Sequence, residues 1–409
     1  MRRVVITGMG AVSPIGNDVQ AMWKSMTAGE HGIGRITHFD TEAFKVKLAA
    51  EVKDFDGPAL LGGSEYRKYD RFIQFALVAS DEAMRDSGLA GTVDAERFGI
   101  YIGSGIGGLG TMFQETEKLL ERGPRRVSPF LVPMMISNMA SGLAAIRFGA
   151  KGVNLPVVTA CATATHAIGE AYRAIGHGYA DAIIAGGAEA AINPISIAGF
   201  TSSMALTVSE DVNRASIPFD LERSGFVMGE GAGILVLEEY ERAKARGAHI
   251  YAEIAGYGNT CDAYHMTAPD PDVHGSSRAI SLALAERVGT DYRKMYINAH
   301  GTSTPLNDKY ETLAIRTAIG TRADSDVLVS STKSMTGHML GAAGGVEAIA
   351  CIHVLRTGIV PPTVGYAVPD PDCDLDCVPN KSRKTDVDVS MSISLGFGGH
   401  NACIAFMQP

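Results

Sequence analysis

Twice along this chain a run rich in β-branched residues passes through a short Ser/Thr turn into a helix built from small residues. The two segments are PVVTACATATHAIGEAYRAI at 156–175 and VLVSSTKSMTGHMLGAAGGVEAIACIHVL at 327–355. Small side chains let such helices lie close together in an interior, so a chain carrying the unit twice reads as a duplicated architecture with paired central helices. The units sit within a longer alternation. Apolar β-rich runs at 4–8, 98–103 and 156–160 precede helical patterns at 18–27, 111–121 and 162–176. The rhythm returns after residue 250 with the strand IYAEIAGYG, a helix near 276–288, the strand MYINAH at 295–300, a helix near 307–319 and the strand DVLVS at 326–330. Alternation of this kind is the signature of an α/β protein. The boundary between halves falls near Gly247, giving 1–250 and 251–409, and the lack of a Pro/Ser-rich linker makes them share an interface.

Hydrophobic residues make up 46% and charged residues 20% of the 409, the balance of a packed globular protein rather than a disordered one. The net charge of −9 gives no global attraction to nucleic acid or to an anionic membrane, so an acidic partner must meet a local basic patch. Four uncharged stretches (127–146, 152–169, 190–209 and 389–408) have the length of a membrane span. Each is broken by Pro, Asn or several Ser, Thr and Gly, so all four read as buried helices and strands. The opening MRRVVITGMG has no secretory pattern, and a cytoplasmic location is expected. Six cysteines are too sparse for a disulfide framework and read as thiols. Cys373 and Cys377 stand close together but lack a second Cys/His pair for a metal clip.

The segment GSGIGG at 103–108 matches a dinucleotide-binding turn, yet no acidic residue ends a second strand about 20 residues on, so it reads as a turn where a backbone or ligand comes close. More telling is Cys161, at a junction of strand and helix. The positive end of a helix and its unsatisfied N–H groups favour a thiolate there, and hence a nucleophile near neutral pH. By itself a cysteine is more often a small buried hydrophobe. Three later turns, around His300, around Lys333 and His338, and around Phe397, also place polar residues where strands end. Strand ends of an α/β sheet converge on one site. Cysteine with two histidines also suits zinc, but these three stand far apart in sequence, unlike the paired ligands of a closed site.

These segments, with RVVITGMGAVSPIG, GFVMGEGAG, GNTCDAYHMTAP and GFGGHN, resemble the β-ketoacyl-acyl-carrier-protein synthases over the full length, most closely the class II type. The resemblance implies a thiolase-like α/β fold, a duplicated five-layered αβαβα arrangement, assembled as a homodimer. It implies decarboxylative condensation of acyl- and malonyl-acyl-carrier protein in fatty-acid elongation, with no cofactor of the enzyme's own because phosphopantetheine arrives on the carrier. Matched by position, Cys161 is the acylated nucleophile, His300 and His338 flank the malonyl thioester, and Lys333 pairs with Glu347. The backbone N–H groups of Cys161 and Phe397 form an oxyanion hole, and the Phe397 side chain is a gate.

The same matching gives Thr302, Thr304 and Thr267 to the phosphopantetheine arm, and Ile106 and Phe200 to the acyl tunnel, with Met134 and Met135 completing it from the second subunit. Arg67, Lys68, Arg125 and Arg126 match a basic patch for the acidic carrier protein. Asn298, Glu347 and Ser392 match a monovalent-cation position of the family, but Ile393 replaces the usual Asn, so no metal is expected. Two alternatives stay open, a class I elongating enzyme and a non-catalytic partner subunit. The second is opposed by the presence of Cys161, both histidines and Lys333. A papain-like hydrolase would share Cys and His but would not release CO2 from a malonyl thioester.

Overall fold

The computed structural model describes residues 1–289 and 292–409. The main sheet is built by β1 (Val4–Val12), β2 (Phe98–Gly103), β3 (Ala182–Glu189) and β4 (Gly231–Glu239) from the first half. The second half adds β5 (Ala252–Cys261), β6 (Met295–Asn298), β7 (Val327–Ser330), β8 (Val389–Gly396) and β9 (His400–Met407). Their spatial order is β2-β3-β4-β1-β5-β9-β8-β6-β7.

Outward from the centre, β1-β4-β3-β2 repeats the plan of β5-β9-β8-β6-β7. In each half the two inner pairings are antiparallel, and the next (β3 with β2, β8 with β6) is parallel. The fifth place in the first half belongs to residues 153–155. Asn154 makes a parallel bridge to Ile100, the Ile100 N–H donates to Val153, and the Leu155 N–H donates to Ile100. The strand expected at 156–160 does not form. Pro156 has no N–H to continue the ladder, and the chain runs on beside β2 into a turn. Within the sheet the halves pair where Val5 faces Glu253 and Ile6 faces Ala252.

Six helices sandwich these strands in five layers. α1 (Arg71–Ser87) and α2 (Met139–Phe148) cover the first half, while α4 (His274–Glu286) and α5 (Pro305–Ile319) cover the second. α3 (Thr163–Gly176) and α6 (Ala343–Thr357) form the middle layer. Strand alternation builds the separate cores. In β4, Ala232, Ile234 and Val236 pack against α1, while Leu235 and Leu237 turn to the middle layer. In β9, Ile404 and Phe406 face the middle and Cys403 and Ala405 face the outer helices.

The small residues of the central helices are there because backbones touch. A Cβ on Gly344 would stand 2.0 Å from the Thr165 hydroxyl, and one on Gly345 would stand 2.1 Å from the Gly233 carbonyl. The four uncharged stretches lie within this fold as strands, helices and turns. One helical segment, Leu340–Thr357, is long and apolar enough to cross a membrane, but 83% of it is buried inside the protein, as a core helix must be.

Candidate active site

The middle-layer helices begin in the same way. A 3-10 turn, Ala160–Ala162, leads into α3, and a second, Leu340–Ala342, leads into α6. The first residue of each turn has a positive φ, 51° at Ala160 and 47° at Leu340. Non-glycine residues held there cost of order 1–3 kcal/mol and persist where the surroundings over-determine them. The first turn presents Cys161 to a cavity of about 390 Å³, whose walls include His300, His338, Phe200, Phe397, Thr302, Thr304 and Thr267.

Cys161 Sγ and a ring nitrogen from each of His300 and His338 lie within 4.8 Å of one another. The imidazoles stand edge to face, with centroids 5.2 Å apart. His338 follows the short helix Lys333–Thr336, and its Nδ1 accepts the Leu340 N–H at 3.3 Å. That bond assigns the proton of the neutral ring to Nε2. The Phe226 ring packs against His338 at 5.1 Å. His300 lies two residues beyond β6, where Glu311 of α5 accepts the N–H groups of His300 and Gly301 at 2.6 and 2.7 Å. Burial pushes the Glu311 carboxyl up to about 8 against those two bonds.

Burial, reinforced by the Lys333 ammonium, holds both histidines well below the ordinary imidazole range, and His338 adds to the effect on His300. Both rings are therefore neutral at pH 7, each with one N–H to offer. Lys333 makes a buried ion pair with Glu347 of α6. Burial raises the Glu347 carboxyl while Lys333 pulls it down.

The thiol corrects a sequence expectation. Burial pushes Cys161 up to about 12, with Lys333 and the Phe397 backbone opposing and Glu189 and Glu347 adding to the rise. Cys161 itself is only half-buried and opens on the cavity, so the shift marks an environment that disfavours a standing thiolate. Three donors this close could suit a metal, and they are the only such cluster among the described residues. The Lys333 ammonium, which reinforces the effect of burial on both imidazoles, also opposes a second cation beside them.

The GFGGH loop joins β8 to β9. A Cβ on Gly396 would meet the Thr159 carbonyl at 2.7 Å, so only glycine lets the strand end lie against the nucleophile turn. Gly398 and Gly399 hold φ at 89° and 76°, which turns the Phe397 ring into the cavity mouth, 6.3 Å from Phe200 and 37% exposed. The Thr302 and Thr304 hydroxyls are 3.0 Å apart on the wall.

Other sequence candidates fall outside the cavity. Ile106 packs with Cys161 and Phe200 in a small apolar cluster behind it. Met134 and Met135 are half-buried in the helix Leu131–Met135, whose end backs the 103–108 loop through the bond from Gly108 N–H to Met135. Arg67, Arg125 and Arg126 are exposed, and Lys68, bound to Glu65 at 2.7 Å, lies 5.9 Å from the Phe130 ring, which brings the two basic pairs to one side. Asn298 and Ser392 are fully buried, and the Ser392 hydroxyl lies beside the Glu347 carboxyl and helps to hold it down. Ile393 packs in the outer core of the second half, on the opposite face of β8, so its identity does not alter that group.

Glu189, Glu311 and Phe226 were missed from sequence. A buried acid with no motif around it carries no signal in a single chain. For Glu189 the available sign was the glycine run at 103–108, which turns out to wrap its carboxylate.

Comparison with known proteins agrees with this geometry. The β-ketoacyl synthase N-terminal domain matches residues 1–243 and the β-ketoacyl synthase C-terminal domain matches residues 251–367. The chain is 53% identical over 409 residues to 3-oxoacyl-acyl-carrier-protein synthase 2 of Synechocystis sp., covering 100% of this chain and 98% of that protein. The protein of the same name from Staphylococcus aureus is 52% identical over 408 residues, again covering 100% and 98%. Among solved structures, a β-ketoacyl synthase from Burkholderia phymatum superimposes with a TM-score of 0.92 at 34% identity over 100% of both chains. A structure of a type II polyketide synthase acyl-carrier protein in complex with its ketosynthase bound to the hexaketide gives 0.90 at 36% identity, covering 100% of this chain and 99% of that one.

Proposed function

This chain belongs to the β-ketoacyl synthase family, and on that premise we propose that it is an acyltransferase of fatty-acid elongation. It condenses acyl-acyl-carrier protein with malonyl-acyl-carrier protein, releasing CO2 and giving a 3-oxoacyl product two carbons longer. The observation that carries this reading is one thiol with two neutral imidazoles, all within 4.8 Å, in a cavity behind an aromatic gate.

In the first step Cys161 Sγ attacks the acyl thioester, the bond to the pantetheine sulfur breaks, and the thiol proton leaves with that sulfur. Covalent storage divides one difficult reaction into two easier ones. The Cys161 and Phe397 N–H groups face the oxygen of the tetrahedral intermediate. In the second step the malonyl carboxylate leaves as CO2 and its electron pair moves onto the thioester oxygen. One N–H from His300 and one from His338 stabilise that oxyanion without being consumed. Collapse of the enolate forms the new carbon–carbon bond to the acyl carbon. The bond from that carbon to Sγ breaks, and the departing sulfur takes one proton from solvent, which balances the loss of the carboxylate as CO2. Burial, reinforced by Lys333, keeps the rings neutral, and Phe397 admits the malonyl group after acylation.

Thr302, Thr304 and Thr267 hold the phosphopantetheine arm, which arrives on the carrier, so the enzyme needs no cofactor of its own. Arg67, Lys68, Arg125 and Arg126 receive the acidic carrier by local charge on a net-negative chain. Ile106 and Phe200 shape the acyl tunnel. Met134 and Met135 complete it across a homodimer interface, for which the exposed Val132 of their own helix offers apolar surface. We place the enzyme in the cytoplasm and the boundary of its halves at 250/251.

The test is intact-protein mass spectrometry after incubation with a medium-chain acyl-acyl-carrier protein. One acyl adduct is expected on the wild type and none on Cys161→Ala, and malonyl-acyl-carrier protein should discharge it as the longer product. A wild type that stays unmodified with several chain lengths would overturn the reading.

A further inference from the structure

The repeated topology makes the two turns at the heads of α3 and α6 equivalents. Ala160–Cys161–Ala162 corresponds to Leu340–Gly341–Ala342. Likewise β3 and β8, each of eight residues, are equivalents, ending at Glu189 and Gly396. At the active turn, the strand end is a glycine beside the Cys161 N–H, which leaves room for a substrate oxygen. At the second turn the positions are reversed. The side chain at the nucleophile place is absent, and the strand end bears a carboxylate that is fully buried.

That carboxylate is fully engaged. Glu189 Oε2 accepts the N–H groups of Gly341 at 3.0 Å and Gly105 at 2.9 Å. Oε1 accepts the Ser104 hydroxyl at 2.7 Å and the Ile106 N–H at 3.3 Å. One oxygen therefore sits on the second turn as a substrate oxyanion would sit on the first. The four donors come from the loop that carries Ile106 and from the turn whose Leu340 N–H orients His338. A Cβ on Gly105 would lie 2.8 Å from Glu189 Oε2 and 3.2 Å from the Ala160 carbonyl, so the same loop also backs the nucleophile turn.

We propose that Glu189 is a positioning residue of the condensing site, a built-in anion that fills the second turn and locks the Ile106 loop and the His338 turn around Cys161. This rests on the condensation reading above for its effect on turnover, but its effect on the thiol does not. The charge lies close enough to oppose thiolate formation, whereas Lys333 favours it and Glu347 opposes it. The donors around Glu189 itself are uncharged, and burial pushes its carboxyl up to about 7.

The experiment uses full-length wild type, E189Q and E189D. The rate of Cys161 alkylation by iodoacetamide is followed by intact mass from pH 6 to 9, beside condensation kinetics. In E189Q the amide NH2 confronts N–H donors, so condensation turnover should fall about tenfold or more. Yet alkylation above pH 7 should rise about threefold to tenfold, because a charge opposing the thiolate is gone. Below pH 7 the two alkylation rates should converge, since wild-type Glu189 is then largely protonated. E189D keeps the charge but cannot span the four donors, so its turnover should fall while its alkylation profile stays that of the wild type.

Equal alkylation profiles for wild type and E189Q, or turnover within twofold of wild type in both variants, would overturn the proposal. Should E189Q fold poorly, the turnover of E189D against its unchanged alkylation decides. A wild type that alkylates as expected but accepts no acyl group would instead count against the condensation reading and leave the coupling of Glu189 to the thiol standing.

Discussion

Replacing Lys333 with Met tests the electrostatic frame of the site. The Lys333 and Glu347 side chains are 1% and 2% exposed, and the ammonium is the leading group that offsets the burial of that carboxylate, ahead of the Ser392 hydroxyl. Breaking a buried pair from one side costs about 3–5 kcal/mol, because the remaining charge is stranded. With an unfolding entropy of about 2.1 cal/mol/K per residue, this corresponds to a fall of roughly 3–6 °C in Tm for a chain of this length.

The loss should depend on pH. Burial already raises the Glu347 carboxyl, and without Lys333 it rises further above its unfolded value. A group whose folded pKa is raised keeps its proton in the folded state after the unfolded chain has lost it. Its contribution is therefore fully present below the unfolded carboxylate pKa and is lost as pH rises toward the folded one. Calorimetry of Lys333→Met should show a deficit against wild type that is small near pH 5 and grows toward pH 8. The double variant Lys333→Met with Glu347→Leu should recover most of the stability, since an apolar pair of similar volume replaces a buried ion pair at little cost. If the double variant is as unstable as the sum of the two single ones, the two side chains are not coupled as a buried ion pair, and the reasoning from stranded charge fails.

Two further outcomes concern the reaction. Cys161→Gln, which mimics the acyl-enzyme, should still decarboxylate malonyl-acyl-carrier protein, at a rate nearly flat from pH 8 to pH 6, because both histidines are held well below their ordinary range. A change in rate with its midpoint near 6.5 would show a ring titrating and contradict the burial argument. Arg125→Glu with Arg126→Glu should raise KM for carrier-bound substrate by about tenfold while leaving small thioesters almost untouched, as expected of steering by exposed charge. Equal losses with both substrates would place the arginines elsewhere in the mechanism.

The alternation of strands and helices, the duplication and the convergence of Cys161, His300, Lys333, His338 and Phe397 were legible in the sequence because each rests on a local signal. β-branched runs mark strands, and Ala/Gly helices mark the close contact of α3 with α6, where Gly344 meets Thr165. The strand expected at 156–160 was misplaced because its composition is that of a strand, while Pro156 removes the one donor that the edge of β2 would need there. Glu189 was invisible for a different reason. Its four partners come from residues 104–106 and from Gly341, and only the pairing of two distant halves brings them together.

The thiol shows how a correct local reading can lose to a global term. The helix N-terminus beside Cys161 is real, but such a dipole contributes about 0.3–1 kcal/mol. Burial is the largest influence on the Cys161 thiol and pushes it up, with Glu189 and Glu347 adding and Lys333 opposing, so the dipole is outweighed. The enclosure that disfavours the free thiolate also strengthens every N–H aimed at an oxyanion. A cavity tuned for a standing thiolate would have to admit water and would weaken those donors. One that keeps the thiol protonated until a thioester arrives forms its charge only where the Cys161 and Phe397 backbones, and then the two imidazoles, are placed to receive it.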